Sequence, residues 1–407
     1  MVKKIKDASG INKLMNYSVY IHVPFCKHRC HYCDFVTYAG MERLIPDYFD
    51  ALIKEMQVVL QNSPHLKIQS IYFGGGTPSI VPIVSYQKLF EALLSLSNLS
   101  EDCEISLEAN PGTLNVKYLE ELKRLGFNRL SLGVQSTNNL ELLRLDRIHT
   151  VDDVLNSVHE AKLAGFANIN LDLMFGLPGQ ALKDWEQSLS RAVVLKPQHF
   201  SLYSLIIEPG TSFFKWYQQG LLSLQDQDLE AEMFENAMSI LQLAGYEHYE
   251  ISNWARIDSA ADFRCRHNLQ YWLNQPYLGF GAGAHGYVDR FRTKNTPVIP
   301  DYIHRMNTIG RAKYQFPFSP ATLSSTPIDK QTEMNEFMMM GLRLVKLGVS
   351  NKRIQNLFGM SIMDAFGEEI NKLLAKGLLE RFGEESQDFR LSKLGVMLGN
   401  QVFMMFV

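Results

Sequence analysis

Between residues 18 and 205, short runs rich in β-branched and aromatic residues alternate with stretches whose apolar positions recur at three- and four-residue intervals. The runs at 18–23, 70–73, 104–108, 129–134, 168–174 and 200–205 predict strands, and the stretches at 46–60, 85–96, 116–125, 140–145, 151–164 and 182–195 predict helices. Gly126 and Gly165 fall where two of those helices must stop before the next strand. Alternation of this kind builds a parallel sheet. The six units predict an α/β fold, a partial, TIM-like (β/α)6 barrel that falls two units short of closure. Such a barrel has an open flank, and the loops at its C-terminal strand ends are expected to carry the site.

Beyond residue 205 the period changes. A helix is predicted at 227–244, followed at 246–296 by an aromatic- and glycine-rich extension expected to cover the barrel mouth. From 297 a further module begins, with helices at 330–346, 352–357 and 362–376, β-like runs at 378–382 and 389–391, and a last helix. Three helices before a hairpin resemble a winged helix, so 297–407 is expected to be a winged-helix-like α+β domain. Glu384, Glu385 and Asp388 at its wing tip would repel phosphate, which argues against a nucleic-acid partner. The expected division is therefore a flexible tail at 1–15, a barrel at 16–245, the extension at 246–296 and the C-terminal module.

Composition narrows the class. With 46% hydrophobic and 20% charged residues the chain can build a large core, which excludes a disordered protein. A net charge of -3 excludes a globally basic nucleic-acid binder. The start carries Lys3, Lys4 and Lys6 but no apolar signal region, and no stretch is long enough to span a bilayer, so a cytoplasmic protein is expected. The terminal segment 403–407 either docks on its own domain or touches a membrane partner.

Five cysteines is an odd number, and Cys26, Cys30 and Cys33 crowd into eight residues directly after the first strand. Without a secretory signal, metal or redox chemistry explains them better than disulfides. Three thiolates on one loop can bind three irons of a [4Fe–4S] cube and leave the fourth open to a ligand. Lys27 and Arg29 are expected to lower the thiol pKa values. The competing reading is structural zinc, with His22, His28 or His31 as fourth ligand. At the end of the second strand, Gly74-Gly75-Gly76-Thr77-Pro78 allows a ligand to approach the backbone closely, or simply makes a tight turn. Glu108, Gln135 and Asp172 lie at or near later strand ends, where a barrel core prefers aliphatic residues. They either meet a ligand or form an internal salt-bridge network with Arg147 or Arg129.

The C-x3-C-x2-C run after the first strand of a six-unit barrel resembles the radical S-adenosylmethionine (radical SAM) superfamily. That resemblance implies a [4Fe–4S] cluster on Cys26, Cys30 and Cys33, whose open iron is chelated by the amino and carboxylate groups of SAM, and one-electron cleavage to a 5′-deoxyadenosyl radical. It further implies SAM contacts at Gly75, Gly76, Thr77, Glu108, Gln135, Arg147 and Asp172, with Tyr20, Tyr32 and Ser204 at matching positions.

The segments Gly-Val-Gln-Ser, Leu-Asp-Leu-Met-Phe-Gly-Leu-Pro-Gly-Gln, Glu-Pro-Gly-Thr and Tyr-Leu-Gly-Phe-Gly-Ala-Gly-Ala-His resemble the branch that holds the oxygen-independent coproporphyrinogen III oxidases and the heme chaperones. The oxidase has a fourth cysteine two residues after the third. Here Phe35 occupies that place, which puts oxidase activity in doubt. His267-Asn268-Leu269-Gln270-Tyr271-Trp272 resembles the chaperone signature H-N-x-x-Y-W. The resemblance then implies heme held by His267 and delivered to apo-hemoproteins such as membrane-bound respiratory ones. A lone histidine among aromatics can equally be a hydrogen-bonded structural residue.

Overall fold

The computed structural model describes residues 16–61, 63, 66–309 and 314–407; the expected tail at 1–15 lies outside them. The first half contains β1 (Asn16–Val23), β2 (Phe25–Cys26), β3 (Tyr38–Ala39), α1 (Ile45–Leu60), β4 (Lys67–Gly75), α2 (Ile83–Leu96), β5 (Asn98–Ala109), α3 (Val116–Leu125), β6 (Arg129–Gln135), α4 (Asn139–Arg144), α5 (Val151–Leu163), β7 (Ile169–Phe175), α6 (Leu182–Val194) and β8 (His199–Ser204). Then come α7 (Ser212–Gln218), α8 (Gln227–Leu243), β9 (Tyr246–Glu250), β10 (Asn253–Arg256), α9 (Arg266–Trp272), β11 (Tyr277–Phe280), β12 (His285–Val288), β13 (Phe291–Asn295), α10 (Ile299–Asn307) and β14 (Thr322–Pro327). The remainder is α11 (Lys330–Gly341), α12 (Asn351–Phe358), α13 (Ile362–Ala375), β15 (Leu379–Phe382), β16 (Asp388–Leu391), α14 (Lys393–Met397) and α15 (Gly399–Phe403).

The main sheet runs β14-β13-β12-β11-β1-β4-β5-β6-β7-β8-β10-β9, and β1, β4, β5, β6, β7 and β8 are its parallel centre. These six are the strands predicted from the alternating pattern. The strands alternate with period two: Val19, Ile21, Ile71, Phe73, Leu107, Leu130, Leu132 and Leu171 are buried on the face that shares a core with the helices, and Ser18, Ser70, Ser106, Ser131 and Asn170 occupy the intervening, inward positions. Each such side chain withdrawn from water contributes about 1.5–3 kcal/mol. The helices are fixed locally as well. Thr150 and Asp153 form a reciprocal cap at the start of α5, and the Asn115 side chain accepts from Tyr118 N at the start of α3.

The extension at 246–296 differs from the expected cover. It adds strands to both flanks of the sheet, β10 and β9 beyond β8 and β11 to β13 beyond β1. Between these additions, α9 packs against the N-terminal halves of the central strands. Residues 297–328, grouped by sequence with the C-terminal module, contribute α10 and β14 to the barrel side. Ile299, Tyr302 and Met306 share a core with Tyr48 and Leu52 of α1. The buried carboxylate of Glu55 draws this region together, accepting from Gly281 N (2.9 Å), Asn295 Nδ2 (2.7 Å), Tyr302 Oη (2.7 Å) and Ser319 Oγ (2.9 Å). A separate core begins at Met334 and includes Met338, Ile354, Phe366, Leu379, Phe389, Phe403 and Phe406. The terminal segment therefore docks on its own module, although Met404 stays exposed. The helix expected at 330–346 ends at Gly341, and the last helix is broken in two at Leu398.

Phe234 and Met238 of α8 pack against both cores, and a cation bridges α9 to the C-terminal module. The Arg343 guanidinium lies 4.5 Å from the ring centre of Trp272 in α9 and 5.2 Å from that of Phe403 in α15. Arg353 reaches the Leu273 carbonyl from the same side.

Candidate functional site

β1 delivers the chain into the cysteine loop, and β2 pairs with β3 to close the loop's ends, with Phe25 opposite Tyr38 and Cys26 opposite Ala39. Within the loop Cys33 N donates to Cys30 O at 3.1 Å and Arg29 Nη2 to Cys33 O at 3.2 Å. All three thiols are free; Cys26 is buried and the other two half-buried. Among the described residues no three His, Cys, Asp or Glu side chains converge closely enough to hold a single ion. The donor set, three soft sulfurs spread along one cavity wall, suits a larger multi-iron cluster.

The expected effect of Lys27 and Arg29 on the thiols is not what dominates. Burial pushes the Cys26 and Cys33 thiols up, and Arg147 is the cation that bonds a sulfur, donating from Nη1 to Cys30 Sγ at 3.6 Å. Its Nη2 donates to Asn110 Oδ1 (2.6 Å) and Gly133 O (2.9 Å). Asn110 Nδ2 in turn donates to Thr77 Oγ1 at 3.0 Å, and Thr77 Oγ1 to Cys26 Sγ at 3.5 Å. A polar chain thus ties the cysteine loop to three strand ends.

The glycine run is fitted against that loop. Gly76 N donates to Val23 O (2.9 Å) and Thr77 N to Phe25 O (2.8 Å). Gly75 has φ +114°, and a Cβ there would overlap the His22 ring. A Cβ on Gly76 would stand 2.6 Å from Phe25 O. Beside them Glu108, at the end of β5, accepts from Gly75 N (3.0 Å) and Tyr72 Oη (2.9 Å). Burial and the neighbouring Asp172 charge push its carboxyl up to about 7 against those hydrogen bonds. Asp172 accepts from Asn170 Nδ2 (2.7 Å) and Ser131 Oγ (3.1 Å), and burial raises it too. Gln135 takes a left-handed φ of 63° at the end of β6, a conformation a non-glycine residue adopts at some cost. Ser204 Oγ donates to Glu230, and Tyr20 Oη to His22 Nδ1 at 2.9 Å.

One cavity of about 580 Å³ brings all of these together: Tyr20, Cys26, Cys30, Tyr32, Cys33, Gly75, Gly76, Thr77, Glu108, Gln135, Arg147, Asp172, Ser204 and His267 all line it. The volume falls in the usual range for a small-molecule site, about 300–1,000 Å³. Phe35, 63% exposed, and Ile206, 67% exposed, stand on its lining as apolar side chains.

His267 forms part of the floor. It is 1% exposed, stacks on Tyr72 with ring centres 5.1 Å apart, and has Ser70 Oγ 3.0 Å from Nδ1 and Tyr271 Oη 2.9 Å from Nε2. Burial, with Arg129 nearby, lowers its pKa to about 3, so the ring is neutral. Both ring nitrogens already hold partners. The salt-bridge network considered for the strand-end carboxylates is not formed among the described residues: Arg147 bonds the groups named above, and Arg129 has no ion-pair partner. Sequence reasoning did not assign Tyr72, Asn110, Asn170 or Tyr203 to the lining, although each falls on the polar positions that alternate with apolar ones along β4, β7 and β8 and through the end of β5, and that alternation is the signal that finds them.

A parallel partial barrel with three thiols at the C-terminal end of its first strand and a glycine cradle at the end of its second is the architecture of a radical SAM protein. The radical SAM superfamily profile matches residues 20–192, and the HemN C-terminal domain profile matches residues 328–398. Coproporphyrinogen III oxidase (HemN) of Escherichia coli superposes with a TM-score of 0.80 at 21% identity, covering 96% of this chain and 90% of that one. The chain is 40% identical to the heme chaperone HemW of Bacillus subtilis over 96% of this chain and 99% of the relative, and 36% identical to that of Lactococcus lactis over 96% and 97%. A mouse mitochondrial protein, radical S-adenosyl methionine domain-containing protein 1, is 35% identical over 89% of this chain and 81% of its own length. The chain belongs to the HemW heme chaperone family.

Proposed function

We propose that this protein is a cytoplasmic heme chaperone that binds heme beside an iron–sulfur cluster and SAM and hands it to apo-hemoproteins. The observation that carries the reading is the single cavity in which three thiols, a glycine cradle, raised carboxyls and the His267 wall meet. Cys26, Cys30 and Cys33 would hold the [4Fe–4S] cluster. SAM would lie along Gly75, Gly76, Thr77, Glu108, Gln135, Arg147 and Asp172, with Tyr20, Tyr32 and Ser204 completing the wall. Together the two cofactors supply one-electron chemistry. The chain's own residues position them: Arg147 and Thr77 fix the thiols, Glu108 offers a negative charge to a cationic ligand, and the glycines let that ligand reach the backbone.

Heme is the cargo, and the relatives named heme chaperones support that role. His267 is the proposed heme-side residue, and to bind iron it must first release Ser70 or Tyr271. Respiratory hemoproteins at a membrane are proposed recipients. No helix among the described residues is long and apolar enough to cross a membrane, so contact with such a recipient would be peripheral. The alternative activity, coproporphyrinogen III oxidation, lacks its fourth thiol at Phe35, whose side chain can neither donate a proton nor ligate a metal.

Hemin titration of the reconstituted protein, followed by the Soret band, tests the reading. Saturable binding, weakened or spectrally altered in His267→Ala, is expected. Anaerobic incubation with SAM, a reductant and coproporphyrinogen III is expected to leave the porphyrinogen unchanged; turnover to protoporphyrinogen would replace the chaperone reading by the oxidase one.

A further inference from the structure

Arg129 is the first residue of β6, its side chain is only 2% exposed, and it lines the cavity. It forms no hydrogen bond or ion pair among the described residues, and its Nε is wholly buried without a partner. The carboxylate of Glu104 is already engaged by Cys265 Sγ (3.5 Å), His267 N (3.1 Å) and Arg266 N (3.2 Å), and acts on Arg129 from beyond ion-pair distance. Beside Arg129, its Cα partner across the sheet is Ser106, whose Oγ is also buried and without a partner. The same cross-strand row continues through Tyr72 to Tyr20, and His267 stacks on Tyr72. A guanidinium almost wholly withdrawn from water, with its Nε lacking any acceptor and no ion-pair partner among the described residues of the cavity lining, is a heavy liability in a folded chain, and such groups are normally completed by something the chain itself does not supply.

We propose that Arg129, with Ser106 beside it, is an anion subsite on the cavity floor that takes a carboxylate of the tetrapyrrole cargo, a porphyrin propionate. The inference rests on the heme-handling reading above. The aromatic row suits a flat apolar macrocycle, and a planar guanidinium is the natural partner for the carboxylate on its edge. SAM is the other possible source of a carboxylate, but the geometry disfavours it. Arg129 begins its strand and Gln135 ends it at the cysteine end, about 20 Å away at the usual rise per residue. A SAM whose carboxylate sits at the thiols does not bring that group to Arg129.

The test compares hemin, hemin dimethyl ester and SAM as ligands of the full-length reconstituted protein. Wild type is expected to bind hemin about tenfold or more tightly than the diester, because esterification removes the charge that the guanidinium would meet. Arg129→Gln is expected to lose that preference while keeping its affinity for the diester and for SAM, and its retained SAM binding shows that the barrel has folded. Equal binding of hemin and diester by wild type overturns the proposal without recourse to any variant. So does an Arg129→Gln protein that keeps the preference, or one that loses SAM instead, which would assign the subsite to the cofactor. Failure of wild type to bind hemin at all removes the heme reading itself, and the subsite with it.

Discussion

The pH dependence of SAM affinity follows from Glu108. The unfolded carboxyl titrates near 4.5, and in the cavity it is pushed up to about 7 by burial and by Asp172. If a sulfonium or ammonium ligand binds only the ionised form, apparent affinity follows the ionised fraction, which is about 9% at pH 6 and about 91% at pH 8. Affinity should therefore rise about tenfold across that interval and then level off. Isothermal titration of the reconstituted protein under anaerobic conditions measures it, with Glu108→Gln expected to bind more weakly and with no slope over the same range. The stability of the ligand-free protein should move the opposite way. A folded pKa above the unfolded one stabilises the fold below about 4.5, and that contribution is lost as the pH rises through about 7. Wild type should consequently lose more stability than Glu108→Gln between pH 5 and 8. A flat SAM affinity from pH 6 to 8, or an unchanged slope in the variant, would refute the electrostatic role given to this carboxyl.

Other expectations are more local. Gly75→Ala forces a side chain into a left-handed backbone and onto the His22 ring, so it should cost about 2 kcal/mol or more in a denaturant titration and abolish SAM binding. Glu55→Ala strands the buried donors of Asn295, Tyr302, Ser319 and Gly281, and a loss of about 3 kcal/mol or more in unfolding free energy is expected. Arg343→Met removes a cation shared by two aromatic rings, worth about 2 kcal/mol together, and limited proteolysis near residue 328 should become faster.

The central barrel was legible because each of its six strands alternates apolar and polar residues with period two, the helices between them repeat at three- and four-residue intervals, and local pattern alone separates the two. The flanking strands were not. Elements such as β9 to β12 span only four or five residues, too few to display a period, and their partners lie far away in sequence. The cysteine spacing and the glycine run could be read directly because ligand-binding loops are contiguous in the chain. Arg129 could be noticed only as a possible salt-bridge partner. That it has no partner is a matter of which side chains face it from β5 and α9, information held in strand register. The boundary drawn at 297 failed for a similar reason, since the change in composition there is real but Glu55, more than two hundred residues earlier, binds the following segment back to the barrel.

The grip of Arg343 on Trp272 gives the molecule an unusual dependence. A barrel ordinarily seals its base with its own side chains; in this chain the stopper is a short helix clasped from behind by a different folding unit. Cutting away the C-terminal module, about a fifth of the chain, would accordingly do more than shorten the protein: the vessel would lose its bottom, and cargo could drain into solvent although every cofactor ligand remained in place.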